Sequence, residues 1–410
     1  MVFERTNGST AVPCKLILGM STALVWGQIK KRVNMPGLVP NVDPEGLLEY
    51  SVVYTDRAVN HMSESFQSVM KDISGTLCGV YNANSVAVIP GSGTFGMEAV
   101  ARQFASNEHV LVIRNGWFSY RWTQIFEAGN IPKSHTVCMA QQESSERQAP
   151  FVPCPLEEVV HRIETEQPKV VFAPHVETSA GMILPHEYLS TIADAVHAVG
   201  GIFVLDCIAS GTIWVDMQQC GVDVLISAPQ KGWSGTPCCA LVMMGPKAVE
   251  LLETTSSSSF SCDLKKWREI MSAYEQGAHA YHATMPTDGL RNFRDVMFET
   301  KELGFLGMAN AQHELGKQVR NLLQEHGYPS VAGVGYEAPG VVVSYTTDAD
   351  IKNGSKFKAQ GLQIAGGVPL QCGEPEDFST FRIGLFGLDK LKNIDRTVSS
   401  LAEALENITR

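Results

Sequence analysis

Residues 201–232 read GIFVLDCIASGTIWVDMQQCGVDVLISAPQKG. Two runs within it, 201–206 (GIFVLD) and 224–228 (VLISA), are short, continuous and apolar, as strands buried on both faces require. An outlier follows each run. Asp206 puts a carboxylate at the end of an otherwise apolar strand, and Lys231 puts an amine just beyond the next one. A buried carboxylate is costly unless a cation or N–H donors meet it, so Asp206 is paired, a helix N-cap, or a structural hydrogen-bond acceptor. Lys231 is either an exposed loop lysine or, at the mouth of a buried sheet, an amine with a depressed pKa that acts as a nucleophile.

The same pattern continues on either side. Apolar, β-branched runs recur at 85–90 (SVAVIP), 109–113 (HVLVI), 169–174 (KVVFAP) and 240–244 (ALVMM), with helical patterns at 95–105 and 186–199. Strands alternating with helices predict a mostly parallel sheet covered on both faces, with functional residues at the strands' carboxyl ends. Pro90-Gly91-Ser92-Gly93-Thr94 joins one such strand to a helix. Glycines there let backbone approach an anion at the helix N-terminus; the same turn is equally a tight connection capped by Ser or Thr. Beyond Leu290 the pattern changes to a long helical stretch, 295–326, and short strands near 340–346 and 381–385, which predict a smaller α+β domain. The expected organisation is an extension over 1–36, a large domain over 37–290 and a small domain over 291–410, with the boundary near a Thr287-Asp288-Gly289 turn. The Ser/Thr-rich residues 253–262 are expected to form a surface loop.

The chain has 410 residues, 32 basic against 43 acidic, for a net charge of −11. Its 44% hydrophobic and 18% charged content excludes bulk disorder, and the acidic balance excludes a surface built to coat nucleic acid. A local basic pocket remains compatible. The ten cysteines are scattered, with only Cys238 and Cys239 adjacent and no C-x-x-C pair. That spacing points to free thiols in a reducing compartment, read as the cytoplasm, and not to a metal site. The apolar residues 12–27 are too short and interrupted to span a membrane, and Lys30, Lys31 and Arg32 follow them where a secretory signal would place charge first. Residues 1–36 read as an accessory helix or as an organelle-targeting extension.

The order of anion turn, buried Asp and Lys, each at a strand's end, occurs here among seven longer segments. They are GSGTFGMEA (91–99), NGWFSYRW (115–122), HVETSAG (175–181), VLDCIASGTIWVD (204–216), DVLISAPQKGWSGTP (223–237), YHATMPTDGLR (281–291) and FRIGLFG (381–387). Together they resemble the class V aminotransferases, fold type I enzymes that use pyridoxal 5'-phosphate (PLP), nearest the alanine–glyoxylate and serine–pyruvate branch. The resemblance implies an α/β fold, with a large domain on a mostly parallel seven-stranded sheet and a smaller C-terminal α+β domain. It implies a homodimer that transfers an amino group between a small amino acid of alanine or serine type and a 2-oxo acid such as glyoxylate or pyruvate. Lys231 would carry the cofactor and move the substrate proton, while Asp206 would pair with the pyridine nitrogen. Phe118 would stack on the ring and Thr178 would lie near its phenolic oxygen. Ser92, Gly93, Thr94 and Gln230 would hold the phosphate, with Tyr281 and Thr284 supplied by the other subunit. Arg382 would clamp the substrate carboxylate, for which a planar guanidinium fork is suited.

Some features depart from that pattern. The extension through residue 36 has no counterpart, and Met62 follows His61 where the family often carries Arg. A 2-aminoethylphosphonate–pyruvate transaminase is the alternative substrate reading. Cys372, ten residues before Arg382, raises a desulfurase or lyase reading; Phe118 and Gln230 stand where such enzymes usually carry histidines and favour amino transfer.

Overall fold

The computed structural model describes residues 47–409; the 1–36 extension lies outside the described residues. Helix α1 (Glu64–Tyr81) opens the described fold, its N-cap Ser63 accepting from the Phe66 N–H and its inner face burying Phe66, Val69, Met70, Ile73 and Leu77. The chain then lays down β1 (Ser85–Pro90), α2 (Gly93–Phe104), β2 (His109–Arg114), α3 (Trp117–Gly129), β3 (Ser134–Met139) and β4 (Val170–Pro174). Helix α4 (His186–Ala198), β5 (Ile202–Asp206), β6 (Val224–Ser227) and β7 (Cys239–Met244) complete the sheet. Its strand order is β1-β7-β6-β5-β4-β2-β3. Strands β2 to β6 pair in parallel, and β7 runs antiparallel to both β1 and β6.

The six apolar runs all form strands of this sheet, with ends within one residue of expectation. The sheet has the expected seven strands, and the seventh, β3, is not among those runs. It is an edge strand, SHTVCM, with mostly exposed residues, so it never needed a continuous apolar run. Reversal of β7 leaves the carboxyl ends of β1, β2, β4, β5 and β6 along one edge, which is where the unusual residues gather.

The expected turn at 287–289 is instead the start of α5 (Thr287–Leu303), which follows Pro286. The expected single helical stretch is two helices, α5 and α6 (Phe305–Glu325), because Gly304 at φ 84° ends the first in a left-handed conformation that glycine alone adopts freely. Helix α5 belongs to both cores. Leu290, Phe293 and Met297 pack into the cluster around the large sheet, while Val296 and Leu303 pack on a second cluster with Leu315, Val342, Phe357 and Phe381. The expected 290/291 boundary therefore falls inside a shared helix. A small antiparallel sheet, β8 (Val341–Tyr345), β9 (Ala365–Gly366) and β10 (Thr380–Gly384), carries Arg382 in its central strand, β10. Of the Ser/Thr-rich residues, the first two end a helix (Pro246–Thr254), and the rest form the expected loop before Leu264–Glu275. Among the described residues no helix is long and apolar enough to cross a membrane.

Candidate active site

The turn after β1 brings backbone close to helix α2. A Cβ at Gly93 would lie 2.5 Å from the Ile208 side chain, so the position admits no larger residue without displacement. Ser92 is the N-cap of α2 by backbone geometry, yet its side chain makes no cap hydrogen bond. The capped-turn reading is thereby set aside for Ser92: its hydroxyl makes no cap bond, and the N–H groups at the very start of the helix, ahead of Phe95, have no acceptor within it. Gln230 lies on the turn after β6, and its side-chain oxygen is buried with no partner.

Asp206 ends β5 and is 8% exposed. Its Oδ1 accepts a hydrogen bond from Ile208 N at 2.9 Å, and among the described residues no cation pairs with it. Burial pushes its pKa up to about 7; the nearby Glu177 charge adds to this, while the Ile208 N–H and Arg121 oppose it. Behind it, His175 donates its backbone N–H to the Asp206 carbonyl and places Nδ1 2.7 Å from Ser210 Oγ. Burial lowers the His175 pKa to about 4, so the imidazole is neutral.

Register places Asp206 opposite Ile226 on β6, and the turn that follows carries Lys231. Gly232 makes that turn feasible, since a Cβ there would collide with the Gly211 carbonyl. Trp233 then anchors it, fully buried among Tyr81, Trp214, Phe293 and Phe305. Lys231 Nζ sits 5.3 Å from the centre of the Phe386 ring. Burial lowers its pKa, and the Arg382 and Arg121 charges lower it further. Such an amine is more readily available as a neutral nucleophile than an exposed lysine.

Phe118 lies in the first turn of α3, and that turn is held by a residue the sequence reading passed over. Glu177 is fully buried, and among the described residues no cation is in hydrogen-bond contact with it. Its Oε1 accepts from Phe118 N (3.3 Å), Ser179 N (3.0 Å) and Ser179 Oγ (2.7 Å); Oε2 accepts from Ser119 N (2.8 Å) and Ser119 Oγ (2.7 Å). A carboxylate at a helix N-terminus is favoured by both the free N–H groups and the dipole. The neighbouring Thr178 is also buried.

Two guanidinium groups flank the Phe118 ring: Arg121 at 5.3 Å and Arg382 at 5.6 Å from its centre. Arg382 donates from Nε to the Gly366 carbonyl at 2.9 Å, which leaves its outer nitrogens for a ligand. Arg121, also passed over in the sequence, donates to Thr94 Oγ1 at 2.9 Å. Tyr281 and Thr284 bond each other at 3.2 Å on an exposed surface. Cys372 packs with its Sγ 3.4 Å from the Arg114 carbonyl, and burial, with the Glu177 and Glu374 charges, pushes its pKa up to about 12. A thiol so raised is a poor source of thiolate.

PLP suits these groups. A buried acid at the end of β5, lacking a cation, matches a protonated ring nitrogen; an uncommitted serine, glycine backbone and an unpartnered amide match a phosphate; and an amine of lowered pKa matches an aldehyde.

Residues 46–351 match the family described as aminotransferase class-V. The chain is 26% identical over 363 residues to the 2-aminoethylphosphonate–pyruvate transaminase of Paraburkholderia phymatum, covering 85% of this chain and 89% of that one. It is 25% identical over 387 residues to a Synechococcus protein named soluble hydrogenase, small subunit, covering 93% and 94% respectively. The solved alanine–glyoxylate aminotransferase of Nostoc sp. shares the fold at a TM-score of 0.72 and 20% identity, over 86% of this chain and 89% of that one. With well over half its length matched to the family, the chain belongs to the class V aminotransferases, which are PLP-dependent.

Proposed function

We propose that this aminotransferase moves an amino group between a small amino acid, of alanine or serine type, and a small 2-oxo acid, glyoxylate or pyruvate. The observation that carries this is the juxtaposition of Lys231, its pKa lowered, with the acid of Asp206 at the ends of neighbouring parallel strands, within reach of the charge of a guanidinium free to take a carboxylate. PLP bound there supplies an electron sink for the carbanion left when the substrate loses its α-proton. Lys231 Nζ takes that proton and returns it. Asp206 holds a proton at the ring nitrogen. Phe118 packs on the ring face, Thr178 lies beside its phenolic oxygen, and Ser92, Gly93, Thr94 and Gln230 hold the phosphate. Arg382 binds the substrate carboxylate through two parallel hydrogen bonds. The names of the Nostoc and Paraburkholderia proteins support amino transfer to small oxo acids, and the latter keeps 2-aminoethylphosphonate as the alternative donor.

The working unit in this reading is a homodimer. Tyr281, 54% exposed, and Thr284 complete the other subunit's phosphate site; the exposed apolar side chains Leu47, Leu48, Tyr50, Val52, Met62 and Phe95 support a buried interface. Two units, 37–290 and 291–410, share helix α5, and every described cysteine is a free thiol, which suits a cytoplasmic setting.

A half-reaction screen tests the proposal. The PLP-loaded protein is mixed with single amino acids and with 2-aminoethylphosphonate, and the visible absorbance of the cofactor is followed. Loss of that absorbance with alanine or serine is expected; a response to 2-aminoethylphosphonate alone would select the alternative, and no response to any amine would overturn amino transfer.

A further inference from the structure

We infer that Arg121 is a positioning residue of the phosphate site: it fixes the Thr94 hydroxyl as a donor to the cofactor phosphate and supplies a guanidinium charge beside it. The inference rests on the proposed cofactor reading and extends it to a residue without a role there. Arg121 lies on α3, one helical turn after Phe118, so both face the same way. Its Nη1 donates to Thr94 Oγ1 at 2.9 Å, and its Cζ lies 5.3 Å from the centre of the Phe118 ring. Among the described residues no carboxylate forms an ion pair with it. It is half-buried, and its charge is felt by both Lys231 and Asp206. The site thus holds three cations, two of them, Arg121 and Arg382, over the Phe118 ring: Lys231 and Arg382 have roles, and Arg121 is left over.

The hydroxyl decides which role remains. A threonine hydroxyl has one proton to give and two lone pairs to receive. Arg121 occupies a lone pair of Thr94 and leaves its O–H proton to give, in the same first turn of α2 whose N-cap, Ser92, makes no cap hydrogen bond with its hydroxyl. Those groups are neutral or dipolar, and a phosphate near neutral pH carries between one and a half and two negative charges. A guanidinium bonded to the same cup therefore keeps the phosphate in its doubly charged form. Arg382 is already assigned to the substrate carboxylate, and its Nε is tied to Gly366 on the small sheet.

The test compares PLP with pyridoxal, which keeps the ring and aldehyde but lacks the phosphate. Dissociation constants are measured by absorbance titration for wild type, Arg121→Gln, Arg121→Lys and Thr94→Val, with thermal unfolding as a check on the fold. Arg121→Gln is expected to weaken PLP about 10- to 100-fold, the range of one lost charge-assisted contact, and to leave pyridoxal within about twofold. Arg121→Lys should recover part of the loss, and the Arg121→Gln and Thr94→Val losses should be less than additive because one acts through the other. The phosphorus NMR signal of bound PLP should stay constant with pH in wild type and titrate near pH 6 in Arg121→Gln. Unchanged PLP binding in a folded Arg121→Gln protein, or equal weakening of PLP and pyridoxal, would overturn the inference. A wild-type protein that binds neither would instead overturn the cofactor reading on which it rests.

Discussion

Replacing Glu177 with glutamine removes one charge from the best-satisfied buried group in the site. The carboxylate accepts five hydrogen bonds, three from backbone N–H groups of Phe118, Ser119 and Ser179 and two from serine hydroxyls. The hydroxyls can rotate to suit an amide; the backbone N–H groups cannot. Whichever oxygen becomes –NH2 must then face at least one fixed N–H, donor against donor, either Ser119 N on one side or Phe118 N and Ser179 N on the other. Hydrogen bonds to a charged acceptor contribute about 1.5–3 kcal/mol each, and a buried donor left unmet costs about 1–3 kcal/mol. Since glutamine keeps the shape and one acceptor, Glu177→Gln should destabilise the protein by about 2–4 kcal/mol in urea unfolding followed by circular dichroism. Because the affected turn carries Phe118, PLP affinity should fall as well. A loss under about 0.5 kcal/mol with unchanged cofactor affinity would refute the claim that Glu177 holds the first turn of α3.

Asp206→Asn should keep PLP bound while slowing amino transfer by orders of magnitude, since an amide cannot hold the proton on the ring nitrogen. In the cofactor-free protein the same substitution has a pH signature. Burial raises the Asp206 pKa to about 7 from an ordinary value near 4, so the folded state favours the neutral acid. Stability from that acid is complete at low pH and is lost as pH rises through 7; the melting temperature of Asp206→Asn relative to wild type should therefore climb between about pH 4 and 7, and a flat difference would contradict it. Arg382→Lys should lower kcat/KM by roughly thirty- to a thousand-fold, mainly through KM, because a point charge replaces a two-pronged contact worth on the order of 2–4 kcal/mol; steady-state kinetics with the preferred amino acid check it. Cys372→Ala should cost less than about tenfold in transamination rate, since its thiol is pushed up to about 12 and only packs against carbonyls. Sulfide release from cysteine that vanishes in this variant would favour the lyase.

The parallel sheet was legible because its inner strands are buried on both faces and so must be continuously apolar; HVLVI, KVVFAP and GIFVLD admit little else. Strand β3 was hidden by the same rule, its edge position leaving SHTVCM free to mix polar and apolar residues. Helix α5 was misplaced because Thr287-Asp288-Gly289 carries turn residues, yet Pro286 just ahead of it is an ordinary helix-start signal. Within the site, Lys231 and Asp206 stood out as charges against apolar strands. Glu177 and Arg121 did not, although each left a trace. Glu177 is an acid in the otherwise uncharged run VETSAG, and Arg121 recurs one turn after Phe118 on a helix face already marked as functional. What no spacing reveals is that Glu177 bonds three backbone N–H groups or that Arg121 reaches Thr94, because those contacts join segments distant in the chain.

The central claim is that the Lys231 amine carries the cofactor and passes on the amino group. PLP-loaded protein is reduced with borohydride, digested and mapped by mass spectrometry, with and without prior incubation with the amino acid that responds in the half-reaction screen. The account predicts a single cofactor adduct on the peptide containing Lys231, lost when that amino acid is added first and absent in Lys231→Ala. An adduct on any other lysine, or one indifferent to the amino acid, would contradict it.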